Sequence, residues 1–340
     1  MALALPMADR GVVRALIDSV HKGTSAHAYL FEGEKGLFTC ETAMYFAAAL
    51  LCGSDGEIPC GACDSCIQAA SGNNPDIKRM SRTDITDRKS IGADDIRAVI
   101  SDVYTKPFRA EKKIYIIEDG DALTVQAQNA MLKILEEPPS YAVFIICVTN
   151  AELILPTVKS RSRIIRFMPR SDADIKKYVC EKYPHMAQKA DFIASFADGI
   201  MGRADFLCGD EAVFDMRKKA LELMVKLLLG NDENVIFEMC DIFEQYKKES
   251  KGGNDTSQMM IDFMLSFLSD ILRLINGAEN KMLNSDMVHE LRKAAERVRY
   301  EKADYAARCA LEAKDMLAKY VSHKAAVMHL ALGMFYGKQN

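Results

Sequence analysis

No stretch of the 340-residue chain approaches the ~20 consecutive apolar residues that a membrane-spanning helix needs. Charge of one sign is also missing. Forty-four Lys and Arg against 48 Asp and Glu leave a net charge of −4, so no chain-wide basic footprint for nucleic acid exists. Glycine (19) and proline (9) are too few for a collagen-like or low-complexity chain. No internal repeat is found. The first residues, MALALPMADRGVV, lack a charged segment followed by an apolar one, so a cytoplasmic location with reduced thiols is expected.

What is present is an ordinary globular composition, 49% hydrophobic and 27% charged. At about 150 residues per domain, the length suggests two or three domains. Four short runs read as strands covered on both faces: 28–32, 113–118, 142–149 and 163–167, each nearly continuous in apolar residues. Between two of them, Leu123, Ala127, Ala130, Met131, Ile134 and Leu135 recur at helical spacing, and Pro138-Pro139 ends the helix. Strand alternating with helix predicts a parallel sheet covered by helices. After about 168 the strand signal disappears. Ser171 is a plausible N-cap, and a glycine-bearing segment follows at 198–207. Helices are predicted over 211–229, 232–249, 256–276, 284–300, 302–320 and 322–336, with loops at 248–257 and 275–281. The expected order is an α/β domain (1–168), a small helical domain (169–209) and an all-helical domain (210–340).

Ten cysteines occur, and four fall in one short segment, LCGSDGEIPCGACDSC. Cys52, Cys60, Cys63 and Cys66 follow a C-x7-C-x2-C-x2-C spacing that can close a tetrahedron around Zn²⁺. Four thiolates leave no open position, which describes a structural site. A redox CxxC pair and an iron–sulfur cluster are the competing readings of the same spacing. The remaining cysteines read as small core residues.

The segment 28–50 runs strand, glycine-containing loop, helix, the context of a phosphate loop with the pattern G-x-x-x-x-G-K-[ST]. Gly33 and Gly36 suit the loop. Phe38 stands where the second glycine of the pattern belongs, Thr39 where the lysine belongs, and Cys40 where the Mg²⁺-binding hydroxyl belongs. Phe38 is expected to disfavour a positive φ and to obstruct phosphates. Without the lysine, a triphosphate has no local cation, so ATP hydrolysis by this chain is not expected. Glu118 and Asp119 follow the strand 113–118 in the reverse of the usual Asp-Glu order, and read as strand-end acids facing solvent. Lys106, Arg109, Lys112 and Lys113 form a basic run that reads as a solvated face.

SAHAYLFEG, the four-cysteine insertion, NPDI, KKIYIIEDGDALTVQAQNAMLKILEEPPSYAVFIICVTN and LPTVKSRSRIIRF together resemble the delta-prime-type clamp-loader subunits of bacterial DNA polymerase III, within the AAA+ superfamily. The likeness is dense over 10–170, weaker at 198–207, and little more than helical composition beyond 210. It implies a P-loop-like parallel sheet domain with a zinc-binding insertion at 52–66, a small helical lid and an all-α collar that holds subunits in a ring. It implies gamma/tau and delta subunits as partners. The sliding clamp and primed DNA are reached through the assembled loader, and no membrane is involved. The chain would sit in the polymerase holoenzyme without ATPase or polymerase activity of its own. Arg161, within Ser160-Arg161-Ser162, matches an arginine finger offered to the neighbouring ATPase, with Ser162 replacing the family's cysteine. Gly202 stands where active relatives carry a sensor arginine. Thr149-Asn150 matches the sensor-1 region, and Asn74-Pro75-Asp76 the family's His-Pro-Asp. The alternatives are an ATP-hydrolysing gamma/tau-type subunit, which Thr39 and Cys40 oppose, and a zinc-ribbon nucleic-acid-binding scaffold, which the acidic-to-neutral cysteine loop opposes.

Overall fold

The computed structural model describes residues 10–54, 56–82, 90–249, 256–279, 282–318 and 322–337. The chain divides into two compact units: residues 1–171 with 199–203, and residues 172–198 with 204–340.

The first unit runs α1 (Arg10–His21), β1 (Ala28–Glu32), α2 (Thr39–Leu50), α3 (Asp64–Ala70), β2 (Ile77–Met80), α4 (Ala93–Val103), β3 (Lys113–Ile117), α5 (Val125–Glu136), β4 (Ala142–Val148), α6 (Pro156–Lys159) and β5 (Arg163–Arg166). The strands form one fully parallel sheet in the order β2-β3-β4-β1-β5. Side chains alternate across it. Tyr29, Phe31, Ile114, Ile116, Val143 and Ile145 pack with Phe46 of α2 and Leu16 of α1. Leu30, Tyr115, Ile117, Phe144 and Ile146 pack with Ile96 of α4 and Met131 and Ile134 of α5. Each large apolar side chain buried this way contributes about 1.5–3 kcal/mol. Both faces being covered explains why β1, β3 and β4 lack polar alternation.

Strand β2 was not among the sequence expectations. It is four residues long at the sheet edge, and Lys78 and Arg79 are exposed, so it carries no apolar run. Leu123 lies before helix α5, which begins at Val125, because Thr124 takes the N-cap and its hydroxyl accepts the Ala127 N–H at 3.2 Å. Lys113 is not part of a solvated face. It is buried, with its ammonium 2.9 Å from Asp102 and donating to the Asp102 and Thr105 carbonyls.

Asn74-Pro75-Asp76 is a structural tie. The Asn74 amide donates to the Ser65 carbonyl and hydroxyl, both at 3.1 Å. The buried Asp76 carboxylate accepts the backbone N–H groups of Phe108, Arg109 and Ala110 at 2.6–3.1 Å. The Asn74 bonds tie α3, and with it the end of the cysteine loop, to the residues just before β2, and the Asp76 bonds hold the segment that leads into β3.

The second unit is helical. It contains α7 (Asp172–Lys182), α8 (Ala190–Ala197), most of α9 (Met201–Gly209), α10 (Ala212–Leu229), α11 (Asn234–Glu249), α12 (Thr256–Ile275), α13 (Val288–Ala295), α14 (Tyr300–Ala318) and α15 (His323–Tyr336). Most of the predicted loop at 248–257 lies outside the described residues. A charged network is buried here. The Arg217 guanidinium makes two bonds of 2.7 Å to the Asp286 carboxylate and one of 2.8 Å to Asn284. It lies 3.4 Å above the Phe192 ring. Asn284 in turn donates to the buried Asp270 carboxylate from its backbone N–H and its amide, both at 2.8 Å.

Candidate functional site

Three features predicted from the sequence fall within the first unit. The loop after β1, the acids after β3 and Thr149 after β4 meet at the carboxyl ends of the strands, where open parallel sheets bind ligands. They line a cleft of about 250 Å³. Phe38 does adopt the left-handed conformation, with φ 61° and ψ 36°, contrary to the steric expectation. A non-glycine residue there costs about 1–2 kcal/mol. Its ring packs against the hydrophobic layer around Phe46, which offsets that cost. The loop therefore turns through a left-handed phenylalanine, with Thr39 and Cys40 opening the helix that follows.

The electrostatics are wrong for a triphosphate. Lys35 is the one cationic side chain lining the cleft among the described residues, against Glu41, Glu118, Asp119 and Asp121. The acids do not face solvent freely, as the sequence suggested. Glu118 pairs with Arg79 at 2.5 Å. Asp119 accepts the Ser81 hydroxyl and the Arg82 N–H, both at 2.8 Å. Asp121 accepts the Thr149 N–H, so Thr149 is held by structure. Asn150 caps the following turn by accepting the Glu152 N–H at 2.8 Å.

Two contacts at this cleft were invisible in the sequence. The Cys40 thiol, on α2, donates to the Glu118 carbonyl at 3.8 Å, and its interaction with the Cys147 thiol on β4 holds Cys40 below the usual thiol range and Cys147 above it. The other contact joins Gly36 to Gly202. The Gly202 N–H donates to the Gly36 carbonyl at 2.9 Å. A Cβ on Gly202 would stand 2.7 Å from the Gly36 Cα, closer than real Cβ atoms approach backbone. The position matched to a sensor arginine is thus occupied by backbone resting on the loop.

The four cysteines do converge. Cys52 and Cys63 sulfurs are 4.0 Å apart, as are those of Cys60 and Cys66, and all four lie within 4.8 Å of one another. Tetrahedral thiolates about 2.3 Å from an ion stand about 3.8 Å apart, so the cluster fits a metal ion closely. Backbone N–H groups already point at the sulfurs: Cys60 N–H to Cys52 and Cys63 N–H to Cys60, each at 3.4 Å. N–H groups of Ala62 and Cys63 bring the Cys60 thiol down to about 6, whereas burial pushes Cys66 up.

Arg161 lies in the short connection between α6 and β5. Its guanidinium contacts Glu136 at 2.6 Å and donates to the Thr157 carbonyl at 2.8 Å and the Ser160 hydroxyl at 3.3 Å. It is half-buried, while Arg163 is exposed and Ser162 bonds back to the Val158 carbonyl. No helix among the described residues is long and apolar enough to cross a membrane.

Residues 8–171 match the family described as DNA polymerase III, delta subunit. The chain is 27% identical over 323 residues to the DNA polymerase III subunit delta' of Bacillus subtilis, covering 94% of each. It is 31% identical over 175 residues to the gamma/tau subunit of Mycobacterium tuberculosis, spanning half of this chain and 30% of that one. Among solved structures, a DNA polymerase III gamma subunit-related protein of Thermotoga maritima aligns over 96% of this chain and 99% of its own, at 18% identity and a TM-score of 0.43.

Proposed function

We propose that this chain, which resembles the delta-prime subunit of the bacterial DNA polymerase III clamp loader over nearly its whole length, is a clamp-loader subunit without ATPase activity of its own. Residues 1–168 form its AAA+ domain, 169–209 a small lid and 210–340 the collar that joins gamma/tau- and delta-type subunits. ATP binds at the neighbours, and Arg161 completes one of those sites from outside. The ATP-bound ring opens a sliding clamp around primed DNA, and hydrolysis releases it. The assembly works in the cytoplasm.

The state of the cleft after β1 carries this reading. Thr39 and Cys40 replace the lysine and hydroxyl, both strand-end acids are engaged, and the Gly202 backbone rests on the loop. Among the described residues lining the cleft, Lys35 alone faces four acids, which opposes a triphosphate and its Mg²⁺ there. The isolated chain therefore releases no phosphate from ATP above background, with or without primed DNA. Mixed with its ATPase neighbours it joins an active complex. Turnover by the isolated chain would return the gamma/tau-type alternative.

The ion at the cysteine cluster is Zn²⁺ in a structural role. Four sulfur ligands leave no coordination position for substrate. Native mass spectrometry finds one zinc per chain at this cluster. Cys60→Ser loses most of it and lowers the melting temperature by several degrees. A cluster that stays metal-free in zinc-supplemented expression would leave the redox reading standing.

A further inference from the structure

Another group of donor atoms lies in the helical unit, unrelated to the clamp-loader reading. Cys309 and Glu312 are three residues apart on α14 and share one of its faces. His329 on α15 faces them. The Cys309 sulfur, a Glu312 carboxylate oxygen and a His329 ring nitrogen all lie within 4.8 Å of one another. His329 Nε2 is 2.8 Å from Glu312 Oε2. Cys309 is buried, His329 partly open and Glu312 exposed, so solvent reaches the group with the thiol at its floor.

Gly333, one turn beyond His329, makes room for that thiol. A Cβ at 333 would stand 2.4 Å from the Cys309 sulfur. The sulfur thus occupies the space a side chain on α15 would fill, on the same face as His329.

We propose that Cys309, Glu312 and His329 form a second, solvent-reachable site for a divalent transition ion of the zinc type. A soft thiolate, an imidazole and one carboxylate suit Zn²⁺ or Co²⁺ and not the oxygen-seeking Mg²⁺ or Ca²⁺. Three protein ligands leave a fourth tetrahedral position for water. Ligands of such an ion stand roughly 3.3–3.8 Å apart. The group closes to that spacing by rotation of the exposed Glu312 and the partly exposed His329 side chains once their mutual hydrogen bond opens. Binding breaks the Cys309 S–H bond, releases its proton to solvent and forms the sulfur–metal bond. It also exchanges the His329–Glu312 hydrogen bond for two metal bonds.

The experiment is a Co²⁺ titration of the full chain after one equivalent of zinc, and no more, has filled the four-cysteine cluster. Metal content is read after gel filtration, sulfur–cobalt absorption in the near ultraviolet, and alkylation of Cys309 by mass spectrometry. The parent takes up one further equivalent, gains the absorption and protects Cys309. His329→Ala, at the surface, and Cys309→Ser, nearly isosteric, each weaken this uptake at least tenfold. Stoichiometry is compared with the parent, so the count at the four-cysteine cluster cancels. Uptake of no further ion, or uptake unchanged in both variants, overturns the site and leaves a His–Glu pair above a core cysteine.

Discussion

Arg161→Ala lowers primer- and clamp-stimulated ATP turnover of the reconstituted loader by tenfold or more, while this chain still assembles. An arginine aimed from outside at the developing γ-phosphate charge contributes about 10³–10⁵ in rate in the best-studied NTPases. On the proposed reading this chain completes one of several ATPase sites, and a tenfold loss requires that the sites fire in sequence, so that one slow site limits the whole ring. The fold of this chain survives because, among the described residues, the hydrogen bonds and ion pair of the Arg161 side chain are those to Glu136, Thr157 and Ser160. A partly exposed pair of this kind is worth at most about 1 kcal/mol. Glu136 is the informative control. It holds the guanidinium in the free chain, so Glu136→Gln releases it and turnover is kept or raised. Unchanged turnover in Arg161→Ala would make this an ordinary surface arginine and the chain at most a scaffold.

The second large effect concerns stability. Arg217→Met destabilises the helical unit by about 1–3 kcal/mol, read from urea melts of the full chain at pH 7. Removing one partner of a fully buried ion pair costs about 3–5 kcal/mol, and the 39% exposure of the Asp286 side chain lets water screen part of that. Asp286 would keep its carboxylate facing the space Arg217 vacates, and Asn284 would lose an acceptor contact. The cation over Phe192 is lost as well. The pH dependence has a defined sign. Burial raises the Asp286 carboxyl, and the Arg217 bonds and charge outweigh it, holding it below the usual range. A folded value below the unfolded one of about 3.9 gives stabilisation that is complete above that pH. It is lost as pH falls through the folded value. The parent and Arg217→Met therefore differ by a constant amount between pH 5 and 8 and converge in acid. A loss under about 1 kcal/mol at pH 7 would show that the network is not load-sharing.

What could be read from the sequence follows from how local each feature is. β1, β3 and β4 were legible because burial on both faces writes itself as an apolar run; β2, with Lys78 and Arg79 at an edge, writes nothing. The cysteine cluster was legible because its four thiols fall within one loop and form their own signature. Lys113 was misread because its partner, Asp102, lies on the preceding helix, and spacing alone cannot tell a buried lysine from a solvated one. The Phe38 turn was misjudged for a related reason. The intrinsic cost of a left-handed phenylalanine is visible in the sequence, whereas the hydrophobic layer that receives its ring is not. Contacts such as Cys40 with Cys147, Gly36 with Gly202 and Arg217 with Asp286 join residues 69 or more positions apart, and no local pattern marks them.

The backbone contact between Gly36 and Gly202 also bears on the direction in which such a chain can change. Restoring a lysine at 39 and a hydroxyl at 40 are simple exchanges on the first turn of a helix. A side chain at 202 is another matter, because its first carbon already collides with the Gly36 backbone. An arginine there becomes tolerable only after the loop has been moved, and moving the loop gains nothing until the lysine has returned. The changes must come together to be of use, so on the proposed reading no single exchange turns this cleft into a hydrolytic site.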